Sequence, residues 1–82
     1  MQFINIGFGN MVNADHVYSI VGIEAAPVKR LVQTAKDNNL AIDATCGRKT
    51  KAVLVMENQS VVLSALLPET IVSRLPNTTD LQ

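Results

Sequence analysis

Apolar and polar positions alternate at the start of the chain: Phe3, Ile4, Ile6 and Phe8 outline a short strand that stops at Gly7-Phe8-Gly9-Asn10. Gly9-Asn10 is a turn signal, so Met11-Val12 is expected to begin a returning strand. Val17-Tyr18-Ser19-Ile20-Val21 is β-branched and aromatic enough for a further strand, closed by Gly22. The period then changes. Val28, Leu31, Val32 and Ala35 recur at three- and four-residue spacing, the apolar stripe of an amphipathic helix. Pro27 suits its first turn, where the missing N–H would be unsatisfied anyway, and Asn38-Asn39 supplies a left-handed stop.

Beyond the helix, Leu40, Ile42 and Ala44 alternate with Ala41, Asp43 and Thr45, the pattern of a half-buried strand. Ala52-Val53-Leu54-Val55-Met56 is almost continuously apolar, as a strand covered on both faces would be. Asn58-Gln59-Ser60 separates it from Val61-Val62-Leu63-Ser64-Ala65-Leu66, which predicts a hairpin. Pro68-Glu69-Thr70 opens a short helix with Ile71, Val72 and Leu75 on its apolar face, and Pro76-Asn77-Thr78-Thr79-Asp80 ends it. The expected architecture is α+β: a small single domain over residues 1–75, mainly antiparallel strands with one amphipathic helix and a short C-terminal helix, then a tail over 76–82.

Composition adds two constraints. A chain of 82 residues has a core of marginal size, yet 48% of it is hydrophobic and only 17% charged. That is more apolar side chain than one small core hides easily, so self-association is expected. The single cysteine, Cys46, excludes an internal disulfide framework and points to the cytoplasm. No signal-peptide pattern is expected at the N-terminus, and no apolar run approaches the ~20 residues of a membrane span.

Charge is neutral overall but unevenly placed. Seven cations balance seven carboxylates, and three of those cations fall within Arg48-Lys49-Thr50-Lys51, with no acid between Asp43 and Glu57. Between two strands taken as paired neighbours, this turn would form a hairpin tip presenting Arg48, Lys49 and Lys51 outward. An arginine grips a phosphate bidentately and lysines act as point charges, so the pattern supports anion binding without identifying DNA. Lys29-Arg30 is a second positive pair, early in the helix. With Phe3, Phe8 and Tyr18 the only aromatic rings, a base-stacking platform has little to draw on.

Catalytic and cofactor chemistry find less support. His16 and Cys46 could meet as base and nucleophile, but the plainer expectation is a surface histidine near a loop and a small packed cysteine at a strand end. Asp15-His16 lacks the further ligands a metal site needs. Gly7-Phe8-Gly9-Asn10 matches neither glycine-rich phosphate fingerprint and reads as a tight turn whose glycines take positive φ. No enzyme activity, cofactor or small-molecule substrate is expected.

Taken together, Phe3-Ile4-Asn5-Ile6-Gly7-Phe8-Gly9-Asn10, Ser19-Ile20-Val21, Ala26-Pro27-Val28-Lys29-Arg30, Ile42-Asp43-Ala44-Thr45, Gly47-Arg48-Lys49-Thr50-Lys51-Ala52-Val53, Leu63-Ser64-Ala65 and Pro68-Glu69-Thr70 closely resemble the RemA family of bacterial extracellular matrix regulatory proteins. The resemblance implies a DNA-binding activator of biofilm matrix and osmoprotection genes, with a protomer similar to LytTR-type DNA-binding domains. It further implies an octameric ring whose basic rim binds or bends double-stranded DNA. The family's turn reads Gly-Arg-Arg-Thr-Arg, which carries DNA contact over to Arg48, Lys49 and Lys51. It also carries contact to His16, where better-known members place an arginine that supplies more positive charge at pH 7. Repetition around a ring would turn a modest cluster into a belt. Asp15, His16 and the zero net charge keep two other readings open: an oligomeric structural or protein-interaction module with weak or lost DNA binding, and a rim for a small anion such as a nucleotide, gripped by Arg48 and Lys29.

Overall fold

The N-terminal alternation resolves into two three-residue strands, β1 (Phe3–Asn5) and β2 (Met11–Asn13), paired antiparallel across the glycine turn. The computed structural model describes residues 2–75. The expected end of the C-terminal helix at Pro76 and the tail over 76–82 lie outside them. A 3₁₀ turn, Ala14–His16, links β2 to β3 (Val17–Gly22); Asn13 caps it by accepting the Asp15 amide. Sequence periodicity gave no sign of this turn, because three residues are too few to show one.

The helix α1 (Ala26–Asp37) carries proline in its first turn and buries Val32 and Ala35. Its expected stop holds: Asn39 takes φ +60°. Leu31, on the edge of the same stripe, is exposed. Three strands and a short helix complete the described chain: β4 (Ala41–Asp43), β5 (Ala52–Met56), β6 (Val61–Ser64) and α2 (Pro68–Ser73).

The second sheet runs β3-β5-β6-β4. β3 and β5, and β5 and β6, pair antiparallel, the latter as the expected hairpin with Gln59 at φ +72°. β4, however, pairs parallel to β6. The expectation of a hairpin tip between β4 and β5 is therefore corrected: β6 lies between the two strands that the basic segment connects. Adjacency in sequence does not ensure adjacency in a sheet: the short turn after β5 pairs it with β6, and β4 adds along the other side of β6.

Each face of this sheet holds its own core. Ala52, Leu54 and Val62 meet Ile4, Ile6, Ala44 and Ile71, from the small hairpin, the loop and α2. Val53, Val61 and Leu63 point the other way, against Val32 and Ala35 of α1. Residues 52–54 and 61–64 are buried because helix or hairpin covers both sides, which explains the unbroken apolar run of β5. The result is a small single domain of α+β type.

The edge strand β4 departs from its half-buried reading. Leu40 and Ile42 are exposed, and only Ala44 of that set is buried. Ala41 packs with the α1 core instead, and Ile42 is left exposed in a groove that it lines together with Val12 of β2. The polar Thr45 is almost fully buried, hydrogen-bonded to Asp43.

Candidate nucleic-acid interface

The segment from Ala44 to Lys51 is an arch over the end of β6. One foot is the Ala44 amide, which donates to the Leu63 carbonyl (2.9 Å); the other is the Lys51 amide, which donates to the Ser64 carbonyl (2.9 Å). Asp43 shapes the first foot, since its Oδ1 accepts both the Thr45 hydroxyl (2.6 Å) and the Thr45 amide (2.9 Å). Those two hydrogen bonds, the hydroxyl first, hold the Asp43 carboxyl below its ordinary pKa; burial opposes them weakly and Lys36 adds attraction.

The chain then reverses through two left-handed residues, Cys46 (φ +55°) and Gly47 (φ +80°), and the Arg48 amide closes the turn on the Thr45 carbonyl (3.0 Å). Cys46 is therefore exposed on the turn, which corrects the expectation of a packed strand-end residue.

The glycine turn stands beside this arch. Gly7, Phe8 and Gly9 all take positive φ (+107°, +56° and +78°), as the tight-turn reading requires of the glycines, with a phenylalanine forced into the same region between them. Asn5 Oδ1 accepts the Gly7 amide at 2.7 Å. Asn10 fastens the turn to the arch: its side-chain amide donates to the Gly7 carbonyl (3.0 Å) and to the Ala44 carbonyl (3.3 Å). The Arg48 guanidinium lies over the Phe8 ring, 5.4 Å from its centroid.

Phe8, Arg48, Lys49 and Lys51 line one hollow of about 280 Å³, floored by Ala65 and Leu66. Among the described residues none of the three cations makes an ion pair. Lys29 and Lys36 of α1 share the next hollow with Thr50, so the helix does bring positive charge alongside the turn. Glu24 approaches from a third side, in a hollow shared with Lys49 and Lys51.

His16 belongs to the other end of the molecule. It precedes Val17, which pairs with Met56, whereas Lys51 precedes Ala52, which pairs with Gly22 at the far end of β3. The length of that strand, roughly 16 Å at about 3.3 Å per residue, lies between them. His16 is exposed, as read from sequence, and its Nδ1 sits 3.2 Å from Glu57 Oε2. Both side chains border a groove of about 460 Å³ lined by Val12, Ile42, Met56 and Val62.

Within one subunit the structure thus gathers three of the four sequence-derived site residues and leaves His16 apart. Sequence reading had no grounds to add Phe8 or Asn10 to the site; the one signal was a bulky residue between two glycines. Among the described residues no group of three or more His, Cys, Asp or Glu side chains could hold a metal ion, and no helix is long and apolar enough to cross a membrane.

Comparison with known proteins extends this picture across the whole fold. A relative from Lachnoclostridium phytofermentans, named as a regulatory protein, is 64% identical over 74 residues, covering 90% of this chain and 81% of its own. One from Halalkalibacterium halodurans, also named as a regulatory protein, is 50% identical over 82 residues, covering 100% and 94%. A Bacillus cereus relative with a name of the same kind is 54% identical over 81 residues, covering 99% and 93%. Residues 3–75, which hold the glycine turn, the arch and both cores, match the family described as extracellular matrix regulatory protein A-like, and the chain belongs to this RemA-like family of regulatory proteins.

Proposed function

We propose that this regulatory protein binds double-stranded DNA without sequence-reading side chains, through phosphate contacts from Arg48, Lys49 and Lys51, and that it does so as a closed ring. The observation that carries the reading is the arch: three cations free of ion pairs among the described residues, on a loop bonded at both feet to β6. A rigid platform of this kind presents positive charge without first spending conformational freedom. Sequence preference would come from how readily the DNA bends.

Assembly is supported by two unlike exposed apolar surfaces. The groove around Ile42 and Met56 lies on the face of the small hairpin, while Leu31, Leu40 and Val55 line a hollow on the α1 face. Two different patches per subunit suit a head-to-tail interface that closes into a ring, an octamer in the family's pattern. Repetition around it would multiply a modest cluster by avidity. The family description fits activation of extracellular matrix genes in the bacterial cytoplasm, with no enzymatic step, and residues 1–75 acting as one domain.

A titration of a duplex of several helical turns at a series of salt concentrations tests this. Each phosphate contact contributes about 0.9 to the log–log slope, so Arg48→Ala/Lys49→Ala, which removes two contacts, is expected to lower the slope by about 1.8 per engaged subunit. Failure of the wild type to bind at low salt, or an unchanged slope in the double variant, overturns the reading. The second reading, an oligomeric interaction module with little DNA affinity, is favoured by the pairing of His16 with Glu57 and the nearness of Glu24 to the lysines. A large mass in solution with no DNA affinity at low salt would select it.

A further inference from the structure

Phe8 is out of place as a folding residue. Its ring is 50% exposed, and its backbone is held at φ +56°, a region disfavoured for a bulky side chain. The turn that carries it is determined on every side: the Asn5 carboxamide accepts the Gly7 amide, and Asn10 ties the Gly7 carbonyl to the arch. Gly7 lies beside Leu66 on the floor of the basic hollow, where a Cβ would sit at ordinary contact distance (3.4 Å). Strain maintained this way at a surface calls for a reason other than burial.

The ring's neighbour supplies it. Arg48 makes no ion pair among the described residues, and its guanidinium rests over Phe8 at 5.4 Å. A planar cation on an aromatic face is attracted by the ring's negative π surface and keeps its N–H edge free. That edge is the part which grips two phosphate oxygens at once. An arginine without such a shelf samples many rotamers and loses them on binding.

We propose that Phe8 is a positioning residue of the phosphate site, a shelf that holds the Arg48 guanidinium edge-outward toward a phosphodiester backbone. This deepens the proposed function and rests on its reading of the arch as a phosphate-binding surface. Phe8→Leu keeps the apolar bulk and the same backbone demand but removes the π face. It is expected to weaken duplex binding by about twofold to thirtyfold, the range of exposed to desolvated cation–π contacts. Phe8→Trp is expected to retain or improve binding, and Phe8→Leu is expected to have no further effect in an Arg48→Ala background.

Stepwise fluorination of the Phe8 ring drains its π density at nearly constant shape, so affinity should fall with each fluorine while the melting temperature stays level. This series decides the matter even where Phe8→Leu fails to fold. Wild-type affinity in Phe8→Leu, an equal loss in the Arg48→Ala background, or a flat fluorination series overturns the proposal. Running the cycle in parallel with inorganic tripolyphosphate separates it from the DNA reading. Coupling of Phe8 and Arg48 on tripolyphosphate, with no duplex binding, would keep the shelf and discard DNA; binding of neither would discard both.

Discussion

Asp43 shows how one side chain sets the geometry of the arch and makes it sensitive to acid. Its carboxylate is held ionised by the Thr45 hydroxyl and amide, which lowers its pKa in the folded chain. A depressed folded value contributes stability above the unfolded pKa of about 3.9, and the contribution is lost as pH falls through the lower folded value. Asp43→Asn keeps an oxygen for the turn but not the charge, so it should melt below wild type at pH 7. The gap should close as melts are taken down through pH 4 to pH 2; a gap of constant size would show that charge is irrelevant there. The residue scale also marks the limit of sequence reading. Arg48, Lys49 and Lys51 were visible because acids are absent around them, and His16 was flagged as a DNA contact only through the resemblance. Cys46 misled, because nothing in its type discloses that Gly47 and its own backbone would both turn left-handed.

Among elements, β6 organises the molecule. Its side chains alternate between the two cores, and its last residue, Ser64, is fully buried with its hydroxyl donating to the Ile6 carbonyl (2.8 Å) and accepting the Leu66 amide (3.1 Å). That hydroxyl joins the β1-β2 hairpin to the main sheet. Ser64→Ala leaves one buried and one part-buried backbone group without its partner, so a loss of about 1–3 kcal/mol in denaturant unfolding is expected. A loss below about 0.5 kcal/mol would mean the hairpin is held by packing alone. Strands with two covered faces announce themselves as apolar runs, and the α1 stripe and its Asn39 stop are local patterns; all of these were legible in sequence. The partner of β4 was not. Its three residues pair with β6 across twenty positions, and a parallel pairing leaves no turn signature to read. For the same reason Ile42 looked inward: alternation gives the face of a strand but not whether anything covers it.

At the scale of the whole molecule, apolar surface remains in excess. Phe3, Met11, Leu31, Leu40, Ile42, Leu67 and Val72 are large apolar side chains left exposed by the single subunit. Ile42, 59% exposed and lining the groove of about 460 Å³, offers a selective test. Ile42→Glu should lower the mass measured by light scattering while changing subunit stability by no more than about 0.5 kcal/mol, the usual effect of a surface substitution. An unchanged mass would mean that this face makes no contact between copies of the chain. The arch has a consequence in time as well as in space. Its feet rest on Leu63 and Ser64, residues that emerge from the ribosome after it. The growing chain therefore carries the full positive charge of the loop before either foot of the arch has its partner. Both feet of the arch wait on β6, so the segment has its full set of anchors only once that strand is paired. The arch, in this molecule, is completed by the final strand of the sheet.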